Sequence, residues 1–158
     1  MGIEEMKDIA KLINMVIVDP ENDENIQKIF HYARFDMAAL KHALKIDVKN
    51  VYCTKIASKI ARTYTNNHGL KDLCKELLGV EISKKQQSSD WGNSNLSKEQ
   101  IAYAANDVIY LHQIKDRLDE MLIRENRQLL VDACLSFLPT RVDLDLRGWE
   151  NDIFSHSS

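Results

Sequence analysis

Tyr103 and Asp107 stand four residues apart in QIAYAANDVIYL, Gln100 to Leu111, a run that reads as helix. Four residues are just over one turn, a rise of about 6 Å, so a phenol and a carboxylate emerge on one face, one above the other. A carboxylate is a hard oxygen ligand for a divalent cation, and a phenol next to it can hold a water. The pair therefore points to a metal and a water handled together. The bland alternative makes Tyr103 a half-buried core aromatic and Asp107 a solvated helix charge.

The elements that must position the pair are legible from period and punctuation. Ser97 with Gln100 three residues on forms a capping box, which starts a long helix and puts Tyr103 and Asp107 in its second and third turns. Leu118, Met121 and Leu122 continue its apolar stripe. The polar stretch Ser83 to Asn95 has neither helical nor strand period and reads as a loop anchored by Trp91. Upstream, Ile3, Met6, Ile9, Ile13, Val16 and Ile17 recur at helical spacing in a helix that ends before Pro20, and Asp19 to Asn25 is a polar turn. Gln27 to Tyr32 reads as a short strand, followed by a helix beginning near Asp36 with Met37, Leu40 and Leu44 on one face. A second strand at Val51 to Cys53 leads into a helix over Thr54 to Tyr64. Another helix spans Leu70 to Leu78 and stops at Gly79. The last helix, Arg127 to Phe137, stops at Pro139. The remainder reads as a surface tail pinned by Leu144, Leu146, Trp149 and Phe154, so the expected organisation is one domain over 1–138 and a tail over 139–158.

Composition limits the function classes. A chain of 158 residues that is 44% hydrophobic, with five glycines and two prolines, can bury a sizeable core and is rich in helix. Cys53, Cys74 and Cys134 are widely spaced and form no C-x-x-C, which argues against a zinc knuckle or a disulfide framework and for a reduced compartment. Neither a signal-peptide pattern nor an apolar run near the roughly 20 residues of a membrane span is present, so a cytoplasmic protein is expected. A net charge of -3 argues against broad electrostatic capture of nucleic acid, yet allows a local basic groove beside an acidic site.

Three blocks carry a resemblance: KIFHYARFDMAAL (Lys28 to Leu40), GLKDLCKELLGVEISKKQQSSDW (Gly69 to Trp91) and QIAYAANDVIYL. In this order they resemble the second half of a ribonuclease D-type 3'-5' exonuclease, from the DEDD superfamily subgroup with a tyrosine in its last motif. The resemblance implies an α/β, ribonuclease H-like fold, here N-terminally truncated and mostly helical with a reduced sheet. It also implies two divalent ions, Mg or Mn, held by four acids. Two ions about 3.5 to 4 Å apart supply a nucleophile at neutral pH and a counter-charge for the leaving oxygen of a phosphodiester. On this resemblance Asp36 and Asp107 are metal ligands, Tyr103 orients the attacking water, and the substrate is RNA or single-stranded nucleic acid. Lys84 and Lys85 lie in a loop near the substrate, as phosphate contacts or as a solvated face. Arg34, with Arg62 and Lys59, lines a strand-binding groove or is simply solvated. Asp36 could alternatively cap its helix, and His31 is read as packed against the sheet rather than as a ligand.

The chain departs from the family pattern at its start. Family members open with a strand carrying Asp-x-Glu well ahead of the second motif, and those two acids complete the metal site. Asp19-Pro20-Glu21 has that form but follows a helical period and sits too close to Phe30 to be the motif. Two of four acids are therefore expected to be absent, with weakened or lost metal binding and impaired hydrolysis. The alternative is a non-catalytic nucleic-acid-binding or subunit-interaction remnant. The strand near Ile29 would then expose an unpaired edge that invites association.

Overall fold

The computed structural model describes residues 24–82, 98–149 and 151–156, with 98–108 given by backbone alone. The helix read over Ile3 to Ile17, the Asp19-Pro20-Glu21 turn, the loop with Lys84, Lys85 and Trp91, and Ser97 lie outside the described residues. Strand β1 (Lys28–Phe30) pairs in parallel with β2 (Val51–Cys53), placing Lys28 opposite Val51, Ile29 opposite Tyr52 and Phe30 opposite Cys53. Their side chains alternate between two cores: Ile29 and Tyr52 face one, and Phe30, Val51 and Cys53 face the other. A strand covered on both faces requires that alternation of apolar residues to both sides. Among the described residues these two strands make the whole sheet.

Helix α1 (Ala33–Leu44) follows β1, and α2 (Thr54–Ala61) follows β2 without a loop. The helical spacing of Met37 and Leu40 buries both, with Ala33 and Phe30, against Leu138 and Val142 of α5 (Gln128–Leu146). Leu44, expected on the same face, is 39% exposed. On the other side Ala57 and Ala61 of α2 pack against Ile114, Leu118 and Leu122 of α4 (Lys98–Arg124). Leu73 and Cys74 complete that core from α3 (Leu70–Leu73), whose chain continues as a wide π-turn over Cys74–Leu78. Gly79 ends it at φ 67°, the left-handed stop expected there. None of the described helices is long and apolar enough to cross a membrane.

Several expected boundaries move. Helix α1 starts at Ala33, so Asp36 lies inside the first turn and is not its cap; Tyr32 holds the cap position with no side-chain bond. Helix α2 ends at Ala61, short of Tyr64. There the Arg62 side chain turns inward to Ser58 Oγ (3.0 Å), the Asn67 carbonyl (2.8 Å) and Glu76, which folds the following turn back.

The largest correction concerns α5, which runs through Pro139 to Leu146 rather than stopping. Proline removes one helix donor and crowds the preceding turn. The helix continues because Leu138 and Val142 are buried against α1, while Asp143 and Asp145 are paired with Lys41 and Arg34. Pro139→Ala is accordingly expected to stabilise the chain by about 1–3 kcal/mol, seen as a raised urea midpoint. An unchanged or lowered midpoint would show that the ring's packing outweighs the lost hydrogen bond.

The tail anchors also differ from expectation. Leu146 and Trp149 are 41% and 56% exposed, while Phe154, itself 70% exposed, keeps a ring contact as expected of an anchor. What holds the tail is Arg141, donating to the carbonyls of Trp149 and Asn151, with Phe154 tilted against Phe137 at 5.8 Å.

Candidate metal and nucleic-acid site

Both α1 and α2 begin at the carboxyl ends of the parallel strands, the end at which open α/β sheets form their binding crevices. The chain there is tightly cross-tied. The His31 carbonyl accepts from the Lys55 amide (3.2 Å) and the Cys53 thiol (3.4 Å), and the Thr54 hydroxyl donates to the Phe30 carbonyl (3.3 Å). Thr54 Oγ1 also lies 2.9 Å from His31 Nδ1. With the hydroxyl proton directed to Phe30, the imidazole nitrogen is the donor in that second bond.

Burial, reinforced by the charge of Lys55, pushes the His31 imidazole down to about 4 from an ordinary 6.5, so it is neutral at pH 7. That agrees with a histidine packed on the sheet. Because its folded value lies below its unfolded one, the stability it contributes is complete above the unfolded value of 6.5 and is lost as pH falls from there to about 4. His31→Gln, which keeps a hydrogen-bonding group near Thr54, is expected to flatten that acid limb in melts followed by circular dichroism. An acid limb as steep as before would refute the assignment.

Asp36 sits one turn beyond this knot. Its half-buried carboxylate makes no hydrogen bond or ion pair with any described residue, and burial alone pushes its pKa up to about 7. An oxygen donor withdrawn from water, with no counter-charge among the described residues, is chemically suited to a hard cation. In this respect Asp36 fits a Mg or Mn ion as one ligand. Among the described residues no group of three or more His, Cys, Asp or Glu could hold a metal by itself.

The partners expected for Asp36 lie on α4. Tyr103 and Asp107 belong to its first three turns, and their side chains lie outside the described set, as do Lys84 and Lys85. What seats α4 is clear further along. Ile114, Leu118 and Leu122 are buried, and Asp119 takes the Tyr52 hydroxyl at 2.8 Å and Lys115 Nζ at 2.6 Å, lashing α4 to β2.

Arg34, expected along a nucleic-acid groove or simply solvated, is engaged by Asp145 through two bonds of 2.6 Å. Arg62 is 3% exposed and serves the turn after α2, while Lys59 is exposed. Sequence reasoning passed over Tyr32 and Phe35, whose rings stack at 6.0 Å and 7°, with Lys55 Nζ 4.6 Å from the Tyr32 ring centre. The signal was present in the three-residue spacing of two aromatics on one helix face.

A 3'-5' exonuclease family model matches residues 4–123, a stretch that contains Asp36, Tyr103 and Asp107. The chain belongs to this 3'-5' exonuclease family. Among solved structures, the chain is similar to Brucella melitensis NrnC, at 53% identity over 94% of this chain and 69% of that one, with a TM-score of 0.82. NrnC has also been solved with bound Mg2+ and bound to pGG. The catalytic core of RRP6 from Trypanosoma brucei is 30% identical over 73% of this chain and 31% of that one, with a TM-score of 0.67. Ribonuclease D of Xanthomonas oryzae pv. oryzae is 34% identical over 103 residues, 65% of this chain and 28% of that protein. The chain thus spans less than a third of the ribonuclease D length and about two thirds of NrnC. Among the described residues the parallel pair of strands flanked by helices matches the 3'-5' exonuclease fold that the sequence led us to expect.

Proposed function

We propose that this chain serves 3'-5' exonucleolytic hydrolysis of RNA or single-stranded nucleic acid with divalent metal assistance. The single observation that carries the reading is Asp36: a carboxylate without partners among the described residues, at the carboxyl end of β1, inside a segment that matches the exonuclease family. In this reading Asp36 and Asp107 supply oxygen ligands, Tyr103 orients water, and Lys84 and Lys85 contact phosphate. The bound ions would supply an activated water and neutralise the leaving oxygen. The Mg2+ complex of NrnC supports a divalent ion, and its pGG complex supports a nucleic-acid substrate. No disulfide joins Cys53, Cys74 and Cys134, which suits a reduced, cytoplasmic setting.

The 158 residues by themselves turn over poorly in this proposal, because the sequence offers two of the family's four acids in recognisable motifs. Among the described residues β1 is paired along one edge only, and association through the other would be a way to complete the sheet. The test is to incubate the purified chain with end-labelled single-stranded RNA and DNA, with Mg or Mn, and resolve the products. A slow ladder shortening from the 3' end and abolished by chelation supports the proposal. Rapid trimming overturns the impairment, chelation-resistant trimming overturns the metal, and binding without trimming favours a non-catalytic module.

A further inference from the structure

The ion pair between Arg34 and Asp145 joins residues 111 apart, and Asp145 lies outside residues 4–123, which the family model matches. Arg34 Nε and Nη2 each donate to a different oxygen of Asp145 at 2.6 Å, a fork-to-fork geometry that constrains orientation as well as distance. The acceptor is itself held: Arg141 Nη2 lies 3.3 Å from Asp145 Oδ1, and the same guanidinium carries the carbonyls of Trp149 and Asn151.

Arg34 and Asp36 are two positions apart in the first turn of α1, about 200° around its axis. Holding Arg34 toward α5 therefore sets the direction in which the Asp36 carboxylate points. Met37 and Leu40 keep α1 against α5 by apolar packing, which tolerates small rotations; a bidentate fork does not. We propose that Asp145 is a positioning residue for Asp36, acting through Arg34, and that the end of α5 tunes the affinity of the exonuclease site for its divalent ion. This rests on the metal reading of Asp36 given above.

The helix pair contains its own control. Lys41 Nζ pairs with Asp143 two turns further along α1, through one nitrogen and with both side chains more than a third exposed. Its loss should disturb α1 against α5 without turning the Asp36 end.

The experiment titrates Mn2+ into the isotopically labelled full chain and follows paramagnetic broadening of the backbone amides around Asp36, a readout that registers weak binding and needs no turnover. Circular dichroism monitors the fold. Asp145→Asn, and Arg34→Lys, which keeps the charge and loses the fork, are each expected to raise the Mn2+ concentration for half-broadening by about tenfold, with Asp143→Asn changing it less than about twofold. Asp36→Asn should abolish the effect. Broadening absent from the unaltered chain, or retained in Asp36→Asn, overturns the metal reading and this inference with it. If broadening depends on Asp36 but is unchanged by Asp145→Asn and Arg34→Lys, or is weakened equally by Asp143→Asn, the positioning role alone is refuted.

Discussion

Replacing Asp36 with asparagine is expected to have opposite effects on function and stability. Asparagine keeps the size of the side chain and removes the charge. On the proposed role of Asp36 as a metal ligand, metal-dependent trimming should fall by at least about two orders of magnitude, because a ligand's charge would act on both the nucleophile and the leaving group in a two-ion displacement. Stability should rise. The carboxyl is pushed up to about 7 by burial, above its ordinary 3.8, so the folded chain binds its proton more tightly than the unfolded chain does. Its contribution is therefore lost as pH rises through that window, and the charged form remains a burden above it. Without metal, Asp36→Asn should gain about 1–3 kcal/mol at pH about 8 and little at pH about 4. Thermal melts in chelator at the two pH values, paired with the trimming assay, check both effects. A variant that melts below the unaltered chain at the higher pH would mean that the carboxylate is held by a favourable charge.

Glu76→Ala should cause the largest loss of stability among single changes away from the apolar core. Arg62 is 3% exposed, and Glu76 is its only carboxylate partner among the described residues. The other contacts of Arg62 among the described residues, with Ser58 Oγ, the Asn67 carbonyl, His68 Nδ1 and the Tyr64 ring, supply no negative charge. Removing the carboxylate leaves a buried guanidinium without counter-charge and also strips the Tyr64 hydroxyl of its acceptor, at 2.8 Å. Breaking one side of a buried pair typically costs about 3–5 kcal/mol; with Glu76 38% exposed, about 2–4 kcal/mol is expected here. Urea unfolding would measure it. The double replacement Arg62→Met with Glu76→Gln should cost less than Glu76→Ala alone, since the uncompensated charge has gone. A double variant that is the less stable of the two would show that the guanidinium's hydrogen bonds to Ser58 and Asn67, not its charge balance, dominate this turn.

What the amino-acid order determined by itself is what a few neighbouring residues can encode. The strand at Val51–Cys53, the stripe of Met37 and Leu40 and the stop at Gly79 were all legible, because period and backbone preference act within one or two turns. Only the folded chain decided that α5 passes through Pro139, that α2 gives way at Arg62, and that Arg34 answers to Asp145. In each case a local tendency lost to partners supplied from elsewhere: Leu138 and Val142 on α1, Glu76 across a turn, and a carboxylate 111 residues away. A proline penalty or the solvation of an exposed arginine amounts to a few kcal/mol at most. Buried area and forked ion pairs of that size become available only after distant segments have met.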